Sequence, residues 1–360
     1  MRLVSTKSLK PGVMLGQTIY NERGQVLLQK GLNLTERLIR RLTERGITYV
    51  YIEDELTNDI HIESPISDTL RIEATEVIKG TFTDMRNSGI MDNSYILDKR
   101  GEKLTNVVQR IVDEMRNNSG TLSLLADIFV TDNYIFQHSL NVTIYTLAIG
   151  LEMGMTTKQL SEIGTGAMLH DIGKVFIDQD ILQKPGNLTE EEYETVKNHT
   201  KLGYDFLRKQ LEVPLLVAHC AYQHHERLDG TGYPRGIKEE ELHPYAKLLG
   251  IADVFDAVTS NRVYRDAMLP HEGLEILYAG SAKLFDINII EAFKKSVAVY
   301  PNGLTVQLSD NRTGIVSRQN KFLCDRPVIK IHREDDKEVT KPYEIDLGRA
   351  LNLTITSISA

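Results

Sequence analysis

The sequence predicts a mainly α-helical protein with a small α+β unit at its N-terminus and a small β appendix at its C-terminus. Helix-periodic apolar patterns follow one another from about residue 122 to residue 300. Two short β-prone runs flank a turn near residue 22, and after Pro301 the chain changes to short runs rich in β-branched residues. At ~150 residues per domain, 360 residues suit about two domains. An apolar fraction of 41% supplies a sizeable core and excludes a wholly disordered chain.

Taken in order, residues 17–20 and 25–28 flank Asn21-Glu22-Arg23-Gly24, a hairpin-like turn. A helix is expected over 34–45 with Gly46 as its stop, then a strand over 47–52, closing an α+β domain of residues 1–60. Acidic residues 53–55 lead into a mostly helical connector, 61–121, with breaks near 87–89 and 117–120. Helices so placed often pair between subunits, which makes a homodimer the expected assembly, although no clean heptad runs through them. In the helical domain, 122–300, a helix over 134–151 is followed by Gly154. Thr189 and Glu192 form a capping box, another helix starts beside Pro214, and a further one covers 246–259. Residues 301–360 form the β appendix, ending in Leu353-Thr354-Ile355-Thr356.

Charge and cysteine content narrow the function classes. Forty-two Lys and Arg against fifty Asp and Glu give a net charge of −8 with no basic stripe, so duplex nucleic acid is not an expected partner. Cys220 and Cys324 stand singly without a CxxC, which excludes a disulfide framework or a thiolate zinc site. The first residues lack a charged segment followed by an apolar one, and no run of ~18 apolar residues occurs. The expectation is a cytoplasmic protein without membrane contact.

Five of the ten histidines sit on or at the ends of apolar helices: His138, His170, His199, His224 and His225. Val196, His199, Gly203 and Phe206 share one helical face, so the His199 ring points at the core. Any one of these alone reads best as a buried imidazole bonded to a carbonyl. Five together, with Asp171 and Asp253 on other apolar helices, read as a metal site. Imidazole and carboxylate without thiolate suit Fe or Mn, with Zn and Ni also compatible. The donors are too many for one tetrahedral ion, which makes two divalent ions the natural count. His219 and His243 fit no such pattern and read as structural or surface residues.

The run His170-Asp171-Ile172-Gly173-Lys174, followed by His224-His225-Glu226-Arg227-Leu228-Asp229-Gly230-Thr231-Gly232-Tyr233-Pro234, resembles the HD-GYP branch of the HD phosphohydrolase superfamily. The resemblance extends to His138-Ser139-Leu140-Asn141-Val142, to His199, and to residues 252–257 with Arg262-Val263-Tyr264. It covers about half the chain. It implies a helical HD-type metal-dependent phosphohydrolase core that hydrolyses cyclic di-GMP at a dinuclear or trinuclear centre. By position, His138, His170, Asp171 and Asp253 would hold one metal, and Asp171, His199, His224 and His225 the other. Lys174, Arg262 and Arg265 fall where the family binds substrate phosphates. One departure matters: members with a third metal carry a glutamate four residues before the first histidine ligand, and here that position is Tyr134. A neutral phenol (pKa ≈ 10) is a poor ligand, so two metals are expected, with cleavage largely stopping at linear pGpG.

The chemistry explains the residue types. Two ions ~3.5–4 Å apart lower the pKa of a bridging water and neutralise phosphoryl oxygens. A carboxylate such as Asp171 has two oxygens to share between them. Lys174 supplies local positive charge that an acidic protein otherwise lacks. Tyr233, in a loop of two glycines and a proline, can stack on guanine or pack the loop. The competing readings are a catalytically weak cyclic-dinucleotide receptor and a phosphodiesterase for a hybrid cyclic dinucleotide.

Overall fold

The computed structural model describes residues 1–21, 25–45, 47–60, 62, 64–88, 96–117, 129–130, 134–184, 186–260, 268–320, 323–335 and 337–359. The amino-terminal unit comprises β1 (Arg2–Ser5), β2 (Ile19–Asn21), β3 (Val26–Leu28), α1 (Glu36–Glu44) and β4 (Tyr49–Ile52). The strands of the expected hairpin, β2 and β3, pair antiparallel, and Thr35 caps α1 by accepting from the Leu38 amide; turn residues 22–24 and the stop Gly46 lie outside the described residues. Strand β1, which no local pattern predicts, pairs antiparallel with β4.

Helices α2 (Asp68–Ser88) and α3 (Ile96–Asn117) are the connector, and strand β5 (Phe129–Val130) then runs parallel to β2. The described apolar residues of the two helices pack within the chain. Leu70, Ala74, Ile78, Phe82 and Met85 of α2, spaced by three and four, lie in one buried cluster with Leu104, Val108, Ile111 and Met115 of α3 and with the helical domain. Phe82 meets Phe136 edge-on at 5.5 Å.

The helical domain continues with α4 (Tyr134–Glu152), α5 (Thr157–Leu169), α6 (Gln179–Leu182), α7 (Glu190–Lys197), α8 (His199–Leu207), α9 (Leu215–Gln223), α10 (Pro244–Thr259), α11 (Pro270–Ala279) and α12 (Ile287–Ser296). Helices α4 and α10 are apolar nearly all round and form the centre, as such a composition requires. The Thr189–Glu192 capping box opens α7 as expected, and a second one, Thr156 with Gln159, opens α5.

The β appendix is one antiparallel sheet of β6 (Thr305–Leu308), β7 (Thr313–Arg318), β8 (Val328–Glu334), β9 (Lys337–Asp346) and β10 (Ile355–Ser359), in the order β10-β6-β7-β8-β9. Its inner face, Val306, Leu308, Val316, Ile329 and Ile331, packs against Leu3 and Tyr51 from the other end of the chain. The Leu3 amide donates to the Gly303 carbonyl at 2.9 Å, and Lys330 pairs with Asp59 at 2.7 Å. Among the described residues, both cysteines are buried, Cys324 donating to the Lys295 carbonyl at 3.1 Å, and no helix is long and apolar enough to cross a membrane.

Candidate metal centre

Five helices and one short 3-10 segment deliver the seven predicted donors to one buried point. His138 comes from α4, and His170 ends α5 with Asp171 directly after it. His199 opens α8, His224 and His225 follow α9, and Asp253 lies in α10. All are buried except His225, which is half-buried. For three of the five histidines the single-residue reading holds alongside the collective one. His170, His199 and His224 bond through Nδ1 to the carbonyls of Ala167 (2.7 Å), Val196 (2.7 Å), and both Cys220 and Ala221 (3.1 and 3.0 Å). Those bonds fix each ring and leave Nε2 turned inward, the arrangement that orients an imidazole ligand.

The inward atoms fall into two groups, His138 with His170 and Asp171, and His199 with His224 and His225, each with ligand atoms within 4.8 Å of one another. Asp171 lies between the groups. Its Oδ2 is 3.4 Å from Nε2 of both His138 and His170, and its Oδ1 is 3.3 Å from Nε2 of His199 and 3.9 Å from that of His224. Asp253 also reaches both, with Oδ1 3.1 Å from His138 Nε2 and Oδ2 3.5 Å from His225 Nδ1. His170 Nε2 and Asp171 Oδ1 are buried and make no hydrogen bond, which costs ~1–3 kcal/mol per neutral atom and more for a charged one. Two buried ligand atoms without hydrogen bonds inside the donor cluster are what a bound cation would satisfy, so the residues fit a divalent metal.

Electrostatics agree with the donor chemistry. Burial pushes His199 down to about 4 despite the nearby Asp171 carboxylate, and holds His224 and His225 well below the ordinary imidazole range. Burial opposes ionisation of Asp171, but the charges of Lys174 and His170 outweigh it and keep the carboxyl well below its usual range. Asp253 is held down in the same way, by its hydrogen bond to His138 and the charges around it. Neutral imidazoles and ionised carboxylates are the forms that bind metal.

His138 is the exception. Burial lowers it, but hydrogen bonds to Asp253 and Asp256 and the charge of Asp171 push it up to about 9. A proton so held stabilises the ion-free fold fully below pH 6.5, and that contribution, about 3 kcal/mol, is lost as pH rises through 9. The three depressed imidazoles act only below pH 6.5. Chelator-treated protein should therefore lose more stability between pH 6.5 and 9 than its His138→Gln variant does, by urea denaturation. Parallel profiles would contradict the assignment.

Several residues around the donors were not singled out by the sequence reading. Asp256, one turn beyond Asp253, takes His138 Nδ1 at 2.7 Å and is itself held by Asn141 and Ser260, each at 3.0 Å. The i,i+3 spacing from Asp253 was the available signal. Glu226, buried next to the histidine pair, accepts the backbone amides of Arg235 (2.8 Å) and Ile237 (3.2 Å) and so closes the loop that carries Tyr233. Gly232 makes that closure fit, because a Cβ there would lie 2.4–2.5 Å from backbone atoms of residues 225–227. Tyr233 stacks on His225 with centroids 4.6 Å apart. Lys174, in the 3-10 segment Ile172–Phe176, reaches Asp171 Oδ2 at 2.5 Å. His219 packs against Tyr204, and His243 caps α10 by accepting from the Tyr245 amide. Arg262, Arg265 and the Tyr134 side chain lie outside the described residues.

A helical bundle whose buried centre gathers five imidazoles and two carboxylates around orphaned ligand atoms defines a metal-binding helical protein of the HD type. The chain belongs to the HD domain family, whose profile matches residues 95–289. It is 31% identical over 278 residues to the cyclic di-GMP phosphodiesterase PA4108 of Pseudomonas aeruginosa, an alignment covering 77% of this chain and 65% of that protein. It is 34% identical over 243 residues to a cyclic di-GMP phosphodiesterase of Thermotoga maritima, covering 66% of this chain and 65% of that protein. The chain thus spans about two thirds of the length of these relatives. A structure of an HDG"Y"P protein from Bdellovibrio bacteriovorus shares the fold, with a TM-score of 0.52 and 17% identity over 81% of this chain and 97% of that one.

Proposed function

We propose that this chain is a phosphodiesterase for cyclic di-GMP that opens the ring mainly to linear pGpG. The observation that carries the reading is Asp171, one carboxylate within 3.3–3.4 Å of imidazoles from both groups and with a buried oxygen that makes no hydrogen bond. The names of the two relatives supply the substrate. His138, His170, Asp171 and Asp253 would hold one divalent ion, and Asp171, His199, His224 and His225 a second, Fe or Mn by donor type. Bound there, two such ions supply Lewis acidity to the phosphoryl oxygens and lower the pKa of the attacking water. The chain's own part is orientation and charge. Asp256 and the four carbonyls lock the imidazoles, Tyr233 covers His225, and Lys174, with a side chain 20% exposed, adds a cation at the edge of the cluster. Arg262 and Arg265 are assigned to the substrate phosphates, and Tyr134 is why two ions are assigned rather than three.

The test is to load the protein separately with Mn and Fe, incubate it with cyclic di-GMP and resolve the products. Accumulation of pGpG with two equivalents of metal is expected. Rapid conversion to GMP overturns the product assignment, and no turnover by fully loaded protein favours a receptor. Lys174→Ala should leave metal content unchanged and raise KM with a smaller loss of kcat. Loss of metal in that variant would make Lys174 part of the centre's scaffold instead.

A further inference from the structure

Helix α7 buries none of its residues, yet its Lys197 lies over Tyr233, the ring packed against His225 of the centre. Tyr193 and Lys197 are four apart and so on one face, and Lys197 links that face to Tyr233. The Lys197 ammonium lies 4.7 Å from the centroid of the Tyr193 ring and 5.5 Å from that of Tyr233. Tyr233 in turn stacks on His225. A succession of ring, cation and ring therefore runs outward from a donor of the centre to a tyrosine that is 47% exposed. A singly exposed tyrosine is ordinary. An ammonium shared by two rings, with a side chain only 26% exposed, is a built arrangement.

We propose that Tyr193, Lys197 and Tyr233 form a clamp for one purine base of the substrate, reading guanine over adenine. This rests on, and deepens, the phosphodiesterase reading. The surroundings favour a base over a phosphate. Glu190, Glu191 and Glu192 fill the first turn of α7, and Glu194 pairs with Lys197 at 2.5 Å, so an anion is repelled where a neutral ring is not. A base has a π-face for the exposed tyrosine, and such stacking is worth ~1–3 kcal/mol per base. The guanine edge offers two adjacent acceptors, O6 and N7, to an ammonium, whereas adenine sets an amino donor beside its N7. Tyr193 and Lys197 are specificity residues here, with no contact to the reacting phosphate.

The experiment uses the full chain loaded with Mn, as wild type, Tyr193→Ala, Tyr193→Phe and Lys197→Ala. Calorimetry measures the affinities for GMP, AMP and ribose 5-phosphate, and kinetics the KM for cyclic di-GMP. Wild type should bind GMP about tenfold or more tightly than ribose 5-phosphate. Tyr193→Ala should erase that advantage, Tyr193→Phe keep it, and Lys197→Ala bring GMP down to AMP. Bound Mn and ribose 5-phosphate affinity should stay constant throughout, and KM should rise in both alanine variants with little change in kcat. Equal wild-type affinity for GMP and ribose 5-phosphate overturns the clamp. So does a loss of Mn, a parallel loss of both ligands, or an unchanged KM in both alanine variants. If cyclic di-GMP is not cleaved while the base preference exists and vanishes in Tyr193→Ala, the clamp stands and the phosphodiesterase reading falls.

Discussion

Asp171→Asn should strip the centre of metal and of turnover while the helical bundle stays folded. The carboxylate lies within 3.4 Å of imidazoles from both sets, through different oxygens and more closely than Asp253 does, and Asn keeps its shape while removing the charge and one ligating atom. Loss of a residue that merely orients a ligand typically costs 10–100-fold in metal affinity. Loss of the shared ligand should therefore exceed ~100-fold, with both ions affected together. Metal analysis after gel filtration, circular dichroism and turnover of cyclic di-GMP are the measurements. A folded variant that keeps two equivalents of metal and wild-type activity would remove Asp171 from its assigned place.

Gly173→Ala should be nearly as damaging, although glycine carries no chemistry. A Cβ at this position would sit 1.9 Å from the His199 carbonyl oxygen and 2.7 Å from the Gly203 amide nitrogen, backbone atoms that cannot swing aside. Helix α8 must shift by more than an ångström, and His199 is its first residue. Overpacking of this kind costs ~1–3 kcal/mol of stability, and misplacing a catalytic geometry by ~1 Å can cost about 100-fold in rate. Gly203→Ala, on the other side of the same contact, is the control. There a Cβ would meet nothing closer than 3.3 Å, so a milder loss is expected in both melting temperature and metal content. Equal behaviour of the two variants would show that the helix contact does not set the position of His199.

The donors were legible in the sequence because each violates its surroundings. An imidazole or carboxylate within an otherwise apolar helical face must be satisfied by something, and seven such violations in the order of a known motif leave little else to satisfy them. The capping box at Thr189, the β2–β3 hairpin and the strands after Pro301 were legible for a similar reason, since turn, cap and alternation are local. The role of Gly173 was not legible. A glycine after His-Asp-Ile says nothing of which helix will press against it.

Periodicity also failed to say what covers a face. The apolar stripes of α2 and α3 are as compatible with a partner subunit as with the chain's own helices, and only the tertiary structure places the described ones in a cluster with α4 and α5. Leu3 and Tyr51 share a core with Val306 and Ile329, a pairing between opposite ends of the chain that no local pattern encodes. The sequence by itself determined the residue types, their faces and the kind of chemistry they suit, because those depend on neighbours three or four positions away. Tertiary structure alone decided that Asp171 lies between two imidazole groups, that Asp256 orients His138, and that Lys197 is caught between two tyrosines. Each of these joins segments brought together only by burial of their apolar faces, and burial is indifferent to distance along the chain.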